Sequence, residues 1–259
     1  MTTQSVTDMM GREITITYPP RRIISLVPSQ TELLYDLGLK DEVIGITKFC
    51  VHPHEWFRNK QRIGGTKNVN IELVKSLQPD LIIANKEENT QAQVEELAAL
   101  FPTWVSNIQT IDDGLQMIRD VGALVGKSER AQLLATDITN GFNNLKKAAV
   151  PQRVAYFIWR NPWMCAGGDT FINNMIEQMG WTNVLAGKMR YPEIALQELA
   201  DKQVNKILLS SEPYPFKDAH IAEIKAVLPD AEVLLVDGEM FSWYGSRMLE
   251  ATAYLRKLI

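Results

Sequence analysis

Residues 22–38 read RIISLVPSQTELLYDLG. A short apolar run gives way to a proline-containing loop, and Ser29 with Glu32 three positions later fits a capping box ahead of a helix that stops at Gly38. The pattern predicts strand, loop, helix. The same order continues downstream: 42–47 (EVIGIT) reads as a strand, 70–84 (NIELVKSLQPDLIIA) as a helix feeding a strand, 93–101 (QVEELAALF) as a helix and 103–106 (TWVS) as a short strand. Upstream, 8–20 (DMMGREITITYPP) alternates apolar and polar residues after a Gly-Arg turn, which suits a small hairpin.

Between 111 and about 150 no strand signal occurs. Ser128 can cap a helix running to about Leu145, with apolar positions at Ala131, Leu134, Ile138, Phe142 and Leu145. At about 1.5 Å per residue that is a rod of roughly 27 Å. Strands resume at 153–158 (RVAYFI), then come a loop at 161–169 (NPWMCAGGD), a helix ending at Gly180, a short strand at 183–186, a helix and strand within 196–211, a strand at 231–237 and a last helix at 246–258. A shift of 198 − 72 = 126 lays Glu72-Leu73 on Glu198-Leu199, and Leu81-Ile82-Ile83 on Ile207-Leu208-Leu209. The fold class expected is therefore α/β: two Rossmann-like lobes with mainly parallel sheets, joined by one long backbone helix. Its parts are an N-terminal lobe over 1–110, a linking helical segment over 111–150 and a C-terminal lobe over 151–259. Parallel sheets take ligands beyond the carboxyl ends of their strands, so the cleft between the lobes is the expected site.

The 259 residues leave room for two such lobes. With 27 Lys and Arg against 31 Asp and Glu the net charge is −4, which gives no attraction to a nucleic-acid backbone. Two cysteines, Cys50 and Cys165, are too few for a disulfide framework or a four-thiolate zinc site. No signal-peptide pattern opens the chain and no apolar run is long enough to span a membrane. Either a signal has been removed or the natural protein is intracellular. Enzyme signatures are missing too: GALVGKS at 122–128 has three residues between its glycines where a P-loop has four, and neither Gly-x-Gly-x-x-Gly nor Gly-x-Ser-x-Gly occurs.

The Asp-x-x-Gly-Arg hairpin at Asp8, the Arg-Ile-Ile-Ser-Leu strand leading into Pro-Ser-x-Thr-Glu, and the spacing from Asn-x-Glu-Leu to Pro-Asp-Leu-Ile together resemble one family. It is the family of ABC-importer substrate-binding proteins with a helical backbone, which carries cobalamin, haem and ferric siderophores, and the likeness spans nearly the whole chain. The loop around FCVHPHE and the segment IGGTKNVN are most similar to cobalamin-binding members. The resemblance implies a monomeric, extracytoplasmic, non-catalytic protein that holds its ligand between the lobes. It would have no intrinsic cofactor and would deliver a cobalt- or iron-containing macrocycle or chelate to an ABC permease and, through it, to the ATPase. The resemblance also implies ligand contacts from Pro28, Ser29, Phe49, Cys50, His52, Trp56, Gly65 and Thr66, and docking against permease arginines by Glu72 and Glu198.

Cys50, His52 and His54 are spaced so that an extended chain would turn all three to one side toward a metal, although Pro53 interrupts them. The alternatives are an axial group for a ligand's metal, from His52 or Cys50, or a solvated loop with one tucked thiol. Aromatics outside core periodicity, namely Trp159, Trp163, Tyr191, Phe241, Trp243 and Tyr244, are expected as walls for a flat macrocycle, with Arg160, Arg190 and Arg247 to select anionic groups. Burying one such aromatic, about 150 to 250 Å², is worth roughly 4 to 6 kcal/mol before entropy. Trp104 and Trp181 read as core. A haem or ferric-siderophore carrier, and an intracellular corrinoid- or metal-handling enzyme or chaperone, are the competing functions.

Overall fold

The computed structural model describes residues 2–259. β1 (Thr2–Thr7) and β2 (Glu13–Tyr18) form an antiparallel hairpin. Asp8 shapes its turn, accepting the N–H groups of Met10 and Arg12 on Oδ1, both at 2.9 Å, and Arg12 Nε on Oδ2 at 2.8 Å. Next come β3 (Ile23–Ser25), α1 (Pro28–Asp36), β4 (Val43–Ile46), α2 (His54–Asn59), β5 (Gln61–Arg62), α3 (Ile71–Leu77), β6 (Leu81–Asn85), α4 (Gln91–Ala98) and β7 (Thr103–Ser106). Their strands make a parallel sheet in the order β5-β4-β3-β6-β7. α5 (Ile111–Leu124) and α6 (Ser128–Asn143) follow.

The second half contains β8 (Arg153–Trp159), β9 (Met164–Cys165), α7 (Phe171–Gln178), β10 (Thr182–Asn183), α8 (Leu196–Asp201), β11 (Lys206–Ser210), α9 (Asp218–Lys225), β12 (Glu232–Val236), α10 (Glu239–Ser242) and α11 (Met248–Leu258). Its parallel strands run β10-β8-β11-β12, and β9 folds back antiparallel on β8. The two sheets carry one wiring: β3, β4, β6 and β7 correspond to β8, β10, β11 and β12. Each chain begins at an inner strand, moves to one side and then crosses to the other, so each sheet has a switch point, between β3 and β6 and between β8 and β11. β6 and β11 are buried at every residue, as strands covered on both faces must be, and this explains why both read as unbroken apolar runs.

The chain divides into two compact units. The first takes the chain through Ile108, with Asp112–Ile138 and Tyr244–Arg247; the second takes Gln109–Ile111, Thr139–Trp243 and Met248–Ile259. Residues 111–150 are thus shared between the units, with α5 in the first except for Ile111, and the chain passes to the second within α6. α6 spans nearly the helix read from Ser128 to about Leu145, and a second helix, α5, precedes it in the linking segment, set off by Gly126 at φ 71°. The expected capping box is replaced as well: Val27 is the N-cap of α1 without a side-chain bond, Pro28 occupies the first turn, and the Glu32 carboxylate serves another partner. Trp104 and Trp181 are buried core residues.

Candidate functional site

In the first unit the loops leaving the carboxyl ends of β3, β4, β5 and β6 form one face. Pro28 is half-buried at the start of α1 and Ser29 is buried beside it. Behind them lies a network of amides and hydroxyls: Asn85 Nδ2 donates to Ser106 Oγ at 3.0 Å, Gln30 Nε2 donates to the same hydroxyl, and Asn89 Nδ2 donates to the Leu26 and Thr66 carbonyls at 3.2 and 3.0 Å. The network lies behind the mouth of the β3–β6 switch point and fixes the backbone of the buried Thr66, while Gln30 Oε1 is buried without a hydrogen-bond partner among the described residues. Phe49 stands out of this face at 50% exposure. A Cβ on Gly65 would come within 3.2 Å of the Phe49 ring, so glycine there lets the ring lie against the turn.

The Cys-x-His-x-His stretch is not extended. Cys50 and Val51 are turned by bonds from their own N–H groups to the carbonyls of Thr47 and Phe49, and His54 opens α2. Cys50 points inward, accepts the Thr31 hydroxyl at 3.1 Å and meets Thr47 Oγ1 at 3.2 Å. Burial pushes its thiol up from the ordinary range, so Cys50 is protonated and unsuited to bind a metal. Among the described residues no three His, Cys, Asp or Glu side chains are placed to share a metal ion. His52 is half-buried and near enough to Glu32 to favour that carboxylate's charge. Trp56 is corrected from rim to core: it lies edge-on to Tyr35 at 5.3 Å with Lys60 Nζ 5.2 Å from its ring. A cavity of about 610 Å³ lined by Tyr35, Lys40, Trp56, Lys60 and Arg130 includes Gly38 to Asp41, which lead into the amino end of β4 and so lie away from the carboxyl-end loops. Cys50 and the equally buried Cys165 are expected to resist a thiol reagent in the folded protein and to react fully once it is unfolded; stoichiometric labelling without denaturant would contradict their placement.

In the second unit the loops after β8 and β11 flank the switch point and carry most of the aromatic surface. Trp159 is 40% exposed and meets Tyr214 edge-on at 5.5 Å. Trp163 stacks on Phe216, 6.0 Å apart and within 3° of parallel, with the Arg160 guanidinium 4.2 Å from its ring. His220 accepts the Lys217 N–H on Nδ1 at 2.9 Å, which leaves Nε2 to donate to the Tyr214 hydroxyl at 3.1 Å. Tyr191 is half-buried, with the Arg190 guanidinium 5.9 Å from its ring.

The walls expected after the last strand are covered. Phe241 sits in α10 and packs on Tyr156 at 5.1 Å and Tyr254 at 6.3 Å; Tyr244 is buried, and Trp243 is 8% exposed. The Trp243 indole donates to Glu212 Oε1 at 2.8 Å, and the Ser242 hydroxyl donates to the same oxygen at 3.0 Å. Neither Glu212 nor Tyr214 stood out in the sequence, although Ser211-Glu212-Pro213-Tyr214, directly after a fully buried strand, is where a polar site begins. Burial raises the Glu212 carboxyl above the ordinary range, and Glu239 and Asp237 add to the shift.

The arginines are largely committed. Arg160 gives Nε and a terminal nitrogen to Glu223 Oε2 at 3.0 and 2.7 Å, and Arg247 holds both oxygens of Glu32 at 2.9 and 2.5 Å. Glu72, at the start of α3, pairs with Lys75 at 2.7 Å; Glu198, in the first turn of α8, pairs with Lys188 at 3.3 Å and accepts the Ala195 N–H at 2.9 Å.

Comparison with known proteins finds relatives among substrate-binding proteins. The uncharacterized ABC transporter substrate-binding lipoprotein YvrC of Bacillus subtilis is 26% identical, over 98% of this chain and 85% of its own. The vitamin B12-binding protein of Pectobacterium carotovorum is 25% identical, over 90% and 86%. The apo periplasmic haem-binding protein RhuT of Roseiflexus sp. RS-1 superposes with a TM-score of 0.80 at 22% identity, covering 92% of this chain and 97% of its own, a likeness of fold. The sequence model of the periplasmic binding protein family matches residues 23–227, which include both switch points and both glutamate-bearing helices, so the chain belongs to that family of substrate-binding proteins.

Proposed function

We propose that this protein is the substrate-binding component of an ABC importer and that its cargo is a metal-bearing macrocycle with an uncharged periphery, a corrinoid in preference to haem. One observation carries the preference. The carboxyl end of β8 and the loops beyond the second sheet carry Trp159, Tyr214 and Trp163 as an aromatic surface, while two of the three arginines expected to select anionic groups, Arg160 and Arg247, are neutralised by Glu223 and Glu32. Stacking a ring on such a surface outweighs an exposed ion pair, worth only about 0.2 to 1 kcal/mol. The vitamin B12-binding relative supports the same choice. Phe49, His52, Gly65 and Thr66 are the ligand contacts assigned to the first unit, and Glu72 and Glu198 dock the loaded protein on the permease outside the cytoplasmic membrane. Among the described residues no helix is long and apolar enough to cross a membrane. A haem or ferric-siderophore cargo is the second reading, favoured by Lys48, whose ammonium lies 5.1 Å from the exposed Phe49 ring.

The test is a tryptophan-fluorescence titration with cyanocobalamin, haemin and a ferric hydroxamate, corrected for inner-filter absorption. Saturable quenching by cyanocobalamin at micromolar concentration or below, at least about tenfold tighter than haemin, is expected; a tenfold ratio is about 1.4 kcal/mol. Tighter binding of haemin would hand the site to the second reading.

A further inference from the structure

Glu212 follows the carboxyl end of β11 by two residues and so lies at the switch point of the second sheet. Its two carboxylate oxygens are in different situations. Oε1 accepts both the Trp243 indole N–H and the Ser242 hydroxyl, which ties the loop after β11 to the end of α10. Oε2 takes no hydrogen bond or ion pair from the described residues, and the residue is only half-buried. The backbone beneath is held as well: Ser210 Oγ donates to the Glu212 carbonyl and accepts the Tyr156 hydroxyl at 3.1 Å, and the Gly238 N–H donates to Ser211 Oγ at 2.9 Å. A Cβ on Gly238 would fall 2.7 Å from Glu212 Cγ, so glycine at 238 is what admits the carboxylate to this position.

An acceptor fixed by one oxygen and open at the other, beside the aromatic surface of Trp159 and Tyr214, has the form of a specificity element. Building on the corrinoid reading above, we infer that Glu212 Oε2 accepts a hydrogen bond from the cargo's periphery, so that the site selects amide- or hydroxyl-bearing macrocycles and rejects carboxylate-bearing ones. Rejection follows from chemistry: a ligand carboxylate facing Oε2 would meet a like charge with no donor between them. The groups facing Glu212 reinforce this, since Asp237 and Glu239 approach it from the end of β12 and α10, and the Tyr156 hydroxyl approaches from β8, with no cation among them.

The experiment compares two corrinoids sharing one ring, dicyanocobinamide with its amides and dicyanocobyrinic acid with its carboxylates, on the wild-type protein and on Glu212→Gln. Glutamine keeps an acceptor for Trp243 and Ser242 and places an N–H₂ donor where Oε2 stood. The wild type is expected to prefer the amide ligand, and Glu212→Gln to lower that preference at least about tenfold, by weakening the amide ligand and strengthening the carboxylate one. At pH values where the ligand's own carboxyls stay ionised, lowering the pH is expected to shrink the wild-type preference more than that of Glu212→Gln, because burial raises the Glu212 pKa and its protonated carboxyl becomes a donor first. Equal loss of both affinities in the variant would mean that Glu212 only holds the loop, and an unchanged ratio would mean that it does not face the cargo; either overturns the inference while leaving the corrinoid reading intact. No saturable binding of either corrinoid to the wild type would remove the reading and the inference together.

Discussion

Replacing Arg247 with alanine is expected to lower the stability of the fold by roughly 3 kcal/mol, because it strands the Glu32 carboxylate without its partner in a poorly solvated site. The pair is bidentate at 2.9 and 2.5 Å, and the side chains are only 9% and 15% exposed. Burial raises the Glu32 pKa even though the guanidinium beside it pulls the other way, so this pair holds its charge at a net cost in solvation. Two consequences separate the pair from an ordinary surface bridge. Replacing both residues together, Glu32→Leu with Arg247→Met, should recover most of the loss, since a buried pair exchanged for apolar groups of similar volume is often neutral. In addition, a group whose folded pKa lies above its unfolded value stabilises the fold fully when protonated, below the unfolded pKa, and loses that contribution as pH rises through the folded pKa. Removing Arg247 deletes the pull toward the charged form and widens the gap, so the deficit of Arg247→Ala should be largest at neutral pH and shrink on acidification. Urea midpoints at pH 7 and pH 5 measure this; a loss under about 1 kcal/mol, or one that grows in acid, would show the pair to be solvated.

That pair also marks the limit of what the chain's letters reveal. Strand, loop and helix at 22–38, the doubled order of elements and the core roles of Trp104 and Trp181 were all legible, because local periodicity and turn chemistry specify them. Residues 32 and 247, or 160 and 223, meet only through the fold, and no spacing rule connects them. Trp56 and Phe241 were misjudged for another reason: they lie on helices of six and four residues, too short to show a 3.6-residue period, and so looked like loop aromatics free to face a ligand. Cys50 is turned away from the loop surface because Thr31, 19 residues away, and the nearby Thr47 hold its sulfur in the core. Glu212 was silent since a lone acid after a strand has no signature until the indole that binds it is found 31 residues away. For Glu32, Arg160 and Glu212 the fate of the side chain is decided by a distant partner, whereas the backbone beneath it is decided nearby.

Reversing the charge at both Glu72 and Glu198 is expected to abolish stimulation of the cognate transporter's ATPase while leaving cargo affinity within about twofold, a difference under about 0.5 kcal/mol. Both carboxylates sit in the first turn of a helix, where the N-terminal dipole favours negative charge and rigid backbone fixes its direction. Their surroundings differ in a way that guides the choice of variant. The Glu72 side chain is 82% exposed, and Asn70 already caps its helix, so Glu72→Arg disturbs only an exposed, solvent-screened ion pair with Lys75. Glu198 accepts the Ala195 N–H, the main cause of its lowered pKa, so replacing it with a residue that cannot accept also removes a cap of α8. Glu198→Gln keeps the cap and removes the charge, so a transport defect shared by Glu198→Gln and Glu198→Arg belongs to docking, and one confined to the arginine belongs to the helix. If arginines on the permease receive these groups, raising salt from about 0.1 M to about 1 M, over which the screening length falls from about 10 to about 3 Å, should weaken docking of the wild type. The double glutamine variant should lose that salt dependence with its stimulation. Undiminished transport by the double arginine variant would place docking on another surface, because no attraction between these two carboxylates and a basic partner survives the change of both signs.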